Sequence, residues 1–376
     1  MDVEARLQAI DRETLTPLVR QALGSDTVKV TDWRYDRLLH GSNSAGVSRI
    51  TGSADDHGET VAWSLILKVV SRQPELGEAD FGTREANAYQ SGLLANLPGS
   101  LAAPRCFAVV ELEEEVWIWL EEVSDETEQP WPLARYGQVA RHLGQFNGAY
   151  LAGHPLPAEP WLSRGLLRAW VTLPSSAIAH LRAREHPLVR RAFPGGSGDG
   201  VLRLWEERDM LFAALDRLPQ TFGHLDANPA NLLGHRSVDG RDETVALDWT
   251  WVGVGAIGQE IVPLISSSVM RFMVDADQMP ELDERVFAGY LDGLCDAGWQ
   301  GDPRTVRFGY AAASALRYGL GAALRSLSSL VDESQHARME LWLGRPYEEI
   351  IDNAAALRRF QLGLADEARE LLDVVR

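Results

Sequence analysis

The sequence has few cysteines, few cations and no long apolar run. Only Cys106 and Cys295 occur among 376 residues, which excludes a disulfide framework and a thiolate zinc cluster and favours the cytoplasm. The 36 basic and 54 acidic residues give a net charge of −18, which disfavours nucleic acid as a partner. No run of about eighteen apolar residues occurs and the N-terminus is acidic, so we expect neither a membrane span nor export.

After a short leading helical region, strand patterns come first in this chain and helix patterns follow. Apolar residues at helical spacing predict a leading helical region over about 3–23, which Pro17 divides. Five β-branched and aromatic runs then predict strands, with one helix at 84–94 between them. From 132 onward the spacing is helical, including a helix at 174–193, a Gly-rich loop at 194–200 and a helix from 201. We therefore expect an α+β fold with an N-terminal lobe at 1–123, a hinge at 124–131 and a C-terminal lobe at 132–376.

The most informative segment is His224-Leu-Asp-Ala-Asn-Pro-Ala-Asn231, followed by Asp248 at the end of the apolar VALDW strand. This H-x-D-x-x-x-x-N pattern arises by chance about 0.02 times in a chain of this composition. An aspartate such as Asp226 in a short loop can accept a proton from a substrate hydroxyl. The oxygens of Asn231 and Asp248 are ligands that suit Mg²⁺ on a triphosphate. The alternative is a surface loop with an Asx turn before Pro229.

Lysine is rare here, with only Lys29 and Lys68 in the whole chain, so arginine is the usual cation. Lys68 lies in the otherwise apolar run SLILKVV, where an ammonium group without a partner is costly to bury. The sequence therefore predicts an anion beside Lys68, and the alternative is a lysine that extends from an edge strand into solvent.

GHLDANPANLL with VALDW resembles the catalytic and metal-binding loops of the aminoglycoside phosphotransferase and choline kinase-like group. The resemblance runs from about residue 28 to about residue 265. It implies a two-lobed protein-kinase-like fold, with a five-stranded antiparallel sheet in the N-terminal lobe and a larger helical C-terminal lobe. It also implies a catalytic loop at 221–234, with Asp226 as the catalytic aspartate.

The resemblance assigns further residues to nucleotide binding. It implies that Lys68 contacts the α- and β-phosphates and pairs with Glu85. The turn with Ser42, Asn43, Ser44 and Gly46 would cover the phosphates through its backbone N–H groups, although an ordinary hairpin has a similar sequence. The Glu121 carbonyl and the Val123 amide would contact the adenine edge, and a plain linker is the alternative.

Two further residues support the loop in the resembling group. His224 is expected to orient the loop through backbone hydrogen bonds. Glu260 is expected to hold the loop from the start of a helix. An equal alternative is that Glu260 is a solvated acid in the first turn of that helix. Two departures affect loop geometry and substrate choice: Leu225 replaces the usual glycine, and Asn228 replaces a frequent histidine.

We therefore predict a Mg²⁺-requiring phosphotransferase that uses ATP, with GTP as the alternative, and acts on a hydroxyl of a small molecule. The helices at 160–218 and after 265 would form the acceptor wall. An aminoglycoside, an amino sugar or choline is one class of acceptor, and a neutral sugar, as in maltokinase-like relatives, is a rival. A silent nucleotide-binding scaffold and a metal hydrolase built on His224 and Asp226 are the alternatives from other classes.

Overall fold

The structure is a computed structural model that describes residues 7–39, 44–73, 80–172, 177–183, 186–237 and 239–375. None of its described helices is both long enough and apolar enough to cross a membrane. Both cysteines are free, with Cys106 half-buried and Cys295 exposed.

An antiparallel sheet of five strands forms the N-terminal part, in the order β1-β2-β3-β6-β5. Its strands are β1 (Lys29–Leu39), β2 (Ser44–Asp56), β3 (Glu59–Ser71), β5 (Cys106–Glu111) and β6 (Glu115–Leu120). Helix α1 (Arg12–Leu23) packs on one face and helix α2 (Arg84–Gln90) on the other. The predicted five-stranded sheet with one helix is confirmed.

Helix α1 differs from the prediction for the leading region. The helical conformation is interrupted before Asp11, whose side chain caps the helix by accepting a hydrogen bond from the Thr14 amide. Pro17 lies inside the helix without ending it. Pro17 removes only one helical hydrogen bond. The burial of Leu15 and Val19 against the sheet outweighs that loss.

The C-terminal part is mainly helical, as predicted. Its larger helices are α3 (Leu133–Leu151), α7 (Ser197–Leu215), α8 (Val262–Met270), α9 (Met279–Asp296), α10 (Pro303–Ser314), α11 (Ala323–Val331), α12 (Glu333–Leu343) and α13 (Tyr347–Glu370). Three short helices, α4 (Leu166–Thr172), α5 (Ile178–Ala183) and α6 (Pro187–Ala192), precede α7. A π-helical segment, Ala315–Ala322, joins α10 to α11 without a break. One buried apolar cluster connects these helices.

Two predicted boundaries in this region are wrong. The helix expected at 174–193 is present as α5 and α6, and Pro187 stands in the first turn of α6, where its missing N–H costs no helical hydrogen bond. The loop expected at 194–200 ends early, because Gly196 adopts a left-handed conformation and α7 begins at Ser197. Asp199 in the first turn of α7 interacts favourably with the positive end of the helix dipole.

Small strands position the loops of the candidate site. Strands β7 (Gln220–Gly223) and β10 (Gly253–Ala256) pair antiparallel. Strands β8 (Leu232–Arg236) and β9 (Asp242–Ala246) form a hairpin, and β4 (Leu101–Ala102) adds to β9 in parallel. Of these, only β9 was expected, as part of the VALDW run. Each of the others is too short, or too rich in glycine, to show strand periodicity.

A close helix contact fixes the segment that precedes Glu260. A Cβ added at Gly309 in α10 would lie 1.9 Å from the Ile257 carbonyl oxygen, whereas a Cβ added at Gly363 in α13 would meet nothing within 4 Å. We expect Gly309→Ala to lower the free energy of unfolding by about 3 kcal/mol, because backbone must shift. Gly363→Ala should raise it by about 0.5–1 kcal/mol through helix propensity.

Urea unfolding of the two alanine variants and wild type measures both effects. Since each variant adds one methyl group inside a helix, Gly363→Ala is the matched control. Equal stability of the two variants would contradict the close approach of α10 to Ile257.

Candidate active site

His224 anchors the loop between β7 and β8 through two hydrogen bonds. Its Nε2–H donates to the Leu247 carbonyl oxygen at 2.8 Å, and its Nδ1 accepts from the Asp226 amide at 3.2 Å. This pair of bonds requires the neutral tautomer that is protonated at Nε2. Burial lowers the pKa of His224, although Asp226 and Asp248 oppose the shift. His224 therefore joins the loop at Asp226 to the segment that follows β9.

Leu225 adopts a left-handed conformation, with φ of 60°. A non-glycine residue in this region is strained, which accounts for the glycine usual at this place in the resembling group. The Leu225 amide donates to the Glu260 carboxylate at 3.2 Å, and the Leu225 carbonyl oxygen accepts from Arg317. Its side chain fits because Gly223 and Gly255 beside it lack a Cβ. Contacts on both sides of the residue thus hold the strained conformation.

Both carboxylate oxygens of Asp226 accept hydrogen bonds. Oδ1 accepts from Arg317 Nη2 at 2.6 Å, and Oδ2 accepts from the side-chain amides of Asn228 at 3.2 Å and Asn231 at 3.3 Å. Burial raises the pKa of Asp226, while the Arg317 guanidinium and His224 oppose that shift. A carboxylate with a raised pKa and a fixed orientation can accept a proton from a hydroxyl group.

Asn228 and Asn231 complete the loop. Asn228 Oδ1 accepts from the Ala230 amide at 3.1 Å and so caps the short 3₁₀ helix Pro229–Asn231. The Asn231 amide nitrogen also donates to the Asp226 carbonyl oxygen at 3.1 Å. Because its nitrogen faces Asp226, the Oδ1 atom of Asn231 is available to a cation.

Asp248 follows β9 in a left-handed conformation, with φ of 59°. Its Oδ1 accepts from Lys68 Nζ at 2.8 Å and from Thr250 Oγ1 at 2.7 Å. Desolvation tends to raise the pKa of Asp248, but Lys68 and Thr250 lower it to about 2. Asp248 is therefore ionised at neutral pH, and its side chain is half-exposed.

Lys68 on β3 forms ion pairs with both Glu85 on α2 and Asp248. Glu85 also accepts from the Trp249 amide at 3.3 Å. Burial tends to lower the pKa of Lys68, but the two carboxylates raise it above its usual value. Burial raises the pKa of Glu85, and Lys68 opposes that shift. The anion that the sequence predicted beside Lys68 is thus present as two carboxylates.

The remaining nucleotide-binding candidates fall at two places in the chain, 42–46 and 121–123. Ser42 and Asn43 fall outside the described residues, while Ser44 and Gly46 begin β2, where Gly46 lies in a bulge of the pairing with β3. Glu121 and Val123 follow β6. The Glu121 amide donates to the Arg105 carbonyl oxygen at 2.9 Å.

Arg317 is the site residue that the sequence does not reveal. It lies on the π-helical segment, is 5% exposed, and donates to both Leu225 and Asp226. Arginine is the usual cation of this chain, and no motif surrounds this one. Only the fold brings it to the loop.

The side-chain oxygens of Asn231 and Asp248 supply only part of the ligand set of a hard divalent cation. Within the described ranges, no three His, Cys, Asp or Glu side chains are arranged to hold a metal ion. Asn231 and Asp248 together offer two oxygen donors, fewer than the six ligands of Mg²⁺. A cation here would therefore take its other ligands from phosphate oxygens and water.

Comparison with known proteins supports the fold. The chain is similar to an amicoumacin kinase in complex with AMP-PNP, Ca²⁺ and Ami, with 15% identity, a TM-score of 0.50, and 94% of this chain and 96% of that chain covered. It is also similar to choline kinase from Cryptosporidium parvum Iowa II, with 12% identity, a TM-score of 0.51 and 97% of each chain covered.

No protein-family model and no curated protein matches the sequence. At these identities the two solved structures show the fold alone. The protein-kinase-like fold with a sheet lobe and a larger helical lobe, predicted from the resemblance, is confirmed.

Glu260 makes the stability of this site depend on pH. Burial raises the pKa of Glu260 to about 7, although the Leu225 amide, Asn147 and Arg317 oppose the shift. A raised carboxyl pKa contributes stability that is present below pH ~4.5 and is lost as the pH rises toward 7. Glu260→Gln cannot ionise, so its free energy of unfolding should gain about 2–3 kcal/mol relative to wild type between pH 5 and pH 8.

Urea unfolding of both proteins at pH 5 and pH 8 measures this difference. The other titrating groups are common to the two proteins and cancel. If the difference between them were the same at both pH values, Glu260 would not titrate in this range.

Proposed function

We propose that this protein transfers the γ-phosphoryl group of ATP, or of GTP, to a hydroxyl group of a small molecule. The convergence of Lys68, Glu85 and Asp248 with the Asp226–Asn231 loop carries this proposal. The four ionisable groups come from β3, α2, the β7–β8 loop and the end of β9. Phosphoryl transfer needs positioned charge more than covalent help, and this cluster supplies it.

Each group has a proposed role in the reaction. Lys68, oriented by Glu85, neutralises charge on the nucleotide phosphates. Asp226 orients the acceptor hydroxyl and accepts its proton as the acceptor oxygen bonds to phosphorus. The bond from the γ-phosphorus to the β,γ-bridging oxygen breaks at the same time, and the nucleoside diphosphate leaves. His224, Glu260 and Arg317 are positioning residues that hold Asp226.

Mg²⁺ is the proposed cofactor, and Asn231 Oδ1 with Asp248 would hold it. When bound, Mg²⁺ neutralises charge on the phosphate oxygens. This assignment agrees with the two hard oxygen donors and with the ionised state of Asp248. The amicoumacin kinase with this fold was solved with AMP-PNP and Ca²⁺.

Backbone groups after β6 are the proposed contacts to the adenine edge. The Glu121 carbonyl oxygen and the Val123 amide make no hydrogen bond to any other described residue, so both are available to a base. The segment 42–46 is the proposed phosphate cover. We place the boundaries of the two lobes at 1–123 and 132–376, and the reaction in the cytoplasm, where ATP is abundant.

Asp226→Asn tests the proposed base. The variant should bind Mg-ATP with nearly unchanged affinity and lose turnover by about 10²- to 10⁴-fold, because it cannot accept the hydroxyl proton. Calorimetry with Mg-ATP and steady-state ATP consumption, with water as the acceptor where no other is established, measure the two properties. Wild-type turnover in Asp226→Asn would show that another group is the base. Loss of ATP binding would show that Asp226 binds the metal or supports the fold.

Asp283→Asn is the matched control for stability. Asp283 is also a mostly buried aspartate that pairs with an arginine, since Arg307 Nη1 lies 2.9 Å from its Oδ2, and burial raises its pKa too. It lies at the start of α9, outside the cluster. Arg307 keeps its second partner Glu367, so Asp283→Asn should cost no more stability than Asp226→Asn, and it should keep turnover.

A further inference from the structure

A cavity lies between the start of α7, with the Gly-rich loop before it, and one face of α13. Its volume is about 720 Å³. The lining includes Gly195 and Gly196 from the loop, Ser197 from α7 and Gly363 from α13. A Cβ added at any of these three glycines would meet nothing within 4 Å, so the backbone there is open to the cavity. We call this space the α7 cavity.

The first turn of α7 contains buried polar groups without partners. No side chain caps this helix, because its N-cap residue is Gly196. Ser197 is 6% exposed, and its hydroxyl has no hydrogen-bond partner among the described residues. The buried Gly198 amide also lacks an acceptor in the described chain, whereas the Ser197 and Asp199 amides have one each. Buried polar groups of this kind are costly unless a ligand or water completes their hydrogen bonds.

Two adjacent arginines of α13 carry charge that no described carboxylate neutralises. Arg358 is 5% exposed and lies over the Phe193 ring at 3.7 Å, directly before the loop. Its guanidinium donates to the Ala192 carbonyl oxygen and to Ser326 Oγ, and its Nε has no partner in the described structure. Burial lowers the pKa of Arg358 to about 9. Arg359 lines the α7 cavity, is exposed, and makes no hydrogen bond or ion pair with a described residue.

The other charges around the α7 cavity are largely balanced within the protein. Arg203 and Arg369 both pair with Glu207, at 2.8 and 2.7 Å, and Arg369 also pairs with Asp366. Asp199, the remaining acid of the lining, is exposed and has an interaction of its own. The two adjacent arginines of α13 therefore outweigh Asp199. The positive end of the α7 dipole adds to this local excess of positive charge.

These features together match a phosphate group. N–H groups at a helix start and a guanidinium group bind phosphate oxygens, and glycines let a phosphate approach the backbone closely. We propose that the α7 cavity binds a phosphate group, as inorganic phosphate or as the monoester of a small molecule, through Arg359, the Ser197 hydroxyl and the Gly198 amide. The buried charge of Arg358 adds to the attraction for the dianion.

This site is separate from the proposed active site. None of the residues that line the α7 cavity belongs to the cluster of Lys68, Glu85 and Asp248 or to the loop that carries Asp226. The proposal therefore does not rest on the proposed phosphotransfer. The cavity volume exceeds that of a phosphate ion, which leaves room for the remainder of a monoester.

Calorimetric titration of the whole chain at constant ionic strength tests phosphate binding. The probes are inorganic phosphate, glycerol 3-phosphate and D-glucose 6-phosphate, with glycerol and D-glucose as the matched compounds without phosphate. We expect one saturable site per chain for at least one phosphate-bearing probe and none for glycerol or glucose. Tighter binding of a monoester than of inorganic phosphate identifies the monoester as the source, and the reverse order identifies the free ion. No binding of any phosphate-bearing probe overturns the proposal.

Substitutions assign the binding to the α7 cavity. Arg359→Gln should weaken the affinity for the phosphate-bearing probe by about tenfold or more, because a charge-assisted hydrogen bond is lost. Arg217→Gln is the matched control, since it removes an exposed arginine just beyond the other end of α7, and it should leave the affinity unchanged. Unaltered affinity in Arg359→Gln, or equal weakening in both variants, would show that the phosphate binds elsewhere, for example at Lys68.

Ser197→Ala separates phosphate binding from a role in folding. Since the hydroxyl has no partner in the described structure, the variant without phosphate should be at least as stable as wild type. Its affinity for the phosphate-bearing probe should fall by about 3- to 10-fold, and the probe should raise its Tm less than that of wild type. A variant that is less stable than wild type without phosphate, or that binds the probe equally well, contradicts the proposal.

Discussion

The ion cluster of Lys68, Glu85 and Asp248 is the interaction on which the site depends. An ammonium group in an apolar strand is stable only beside carboxylates, and these come from α2 and from the end of β9. The cluster therefore ties the sheet of the N-terminal part to the loops of the C-terminal part. It also keeps Asp248 ionised and at a fixed distance from the β7–β8 loop, because His224 joins that loop to Leu247.

The loop that carries Asp226 is held in a strained conformation from three directions. His224 binds the Leu247 carbonyl oxygen after β9, Glu260 accepts from the Leu225 amide, and Arg317 donates to the Leu225 carbonyl oxygen and to Asp226. Strain of this kind persists only where surrounding contacts impose it, and it is common at functional sites. Glu260 and Arg317 belong to helical segments farther along the chain, so the helical part orients the proposed base.

The sequence predicts the groups whose chemistry conflicts with their surroundings, and it misses those that depend on the fold. Lys68 is visible because a lysine in an apolar strand is anomalous, and Asp226, Asn231 and Asp248 because their spacing is rare. Arg317 is not visible, because arginine is common in this chain and its partners are distant in sequence. The parallel pairing of β4 with β9 also depends on tertiary contacts.

In the proposed site, Asn231 and Asp248 supply two ligands of a cation whose coordination the nucleotide phosphates and water complete. Titration with Mn²⁺ by electron paramagnetic resonance, with and without ATP, tests it most directly. We expect the protein alone to bind Mn²⁺ weakly. With ATP present, we expect one site per protein that binds Mn²⁺ more tightly than ATP does in solution. In Asp248→Asn this site should weaken by about 10- to 100-fold, and in Asp283→Asn it should be unchanged. Tight Mn²⁺ binding without nucleotide, or an unaltered site in Asp248→Asn, would contradict the account.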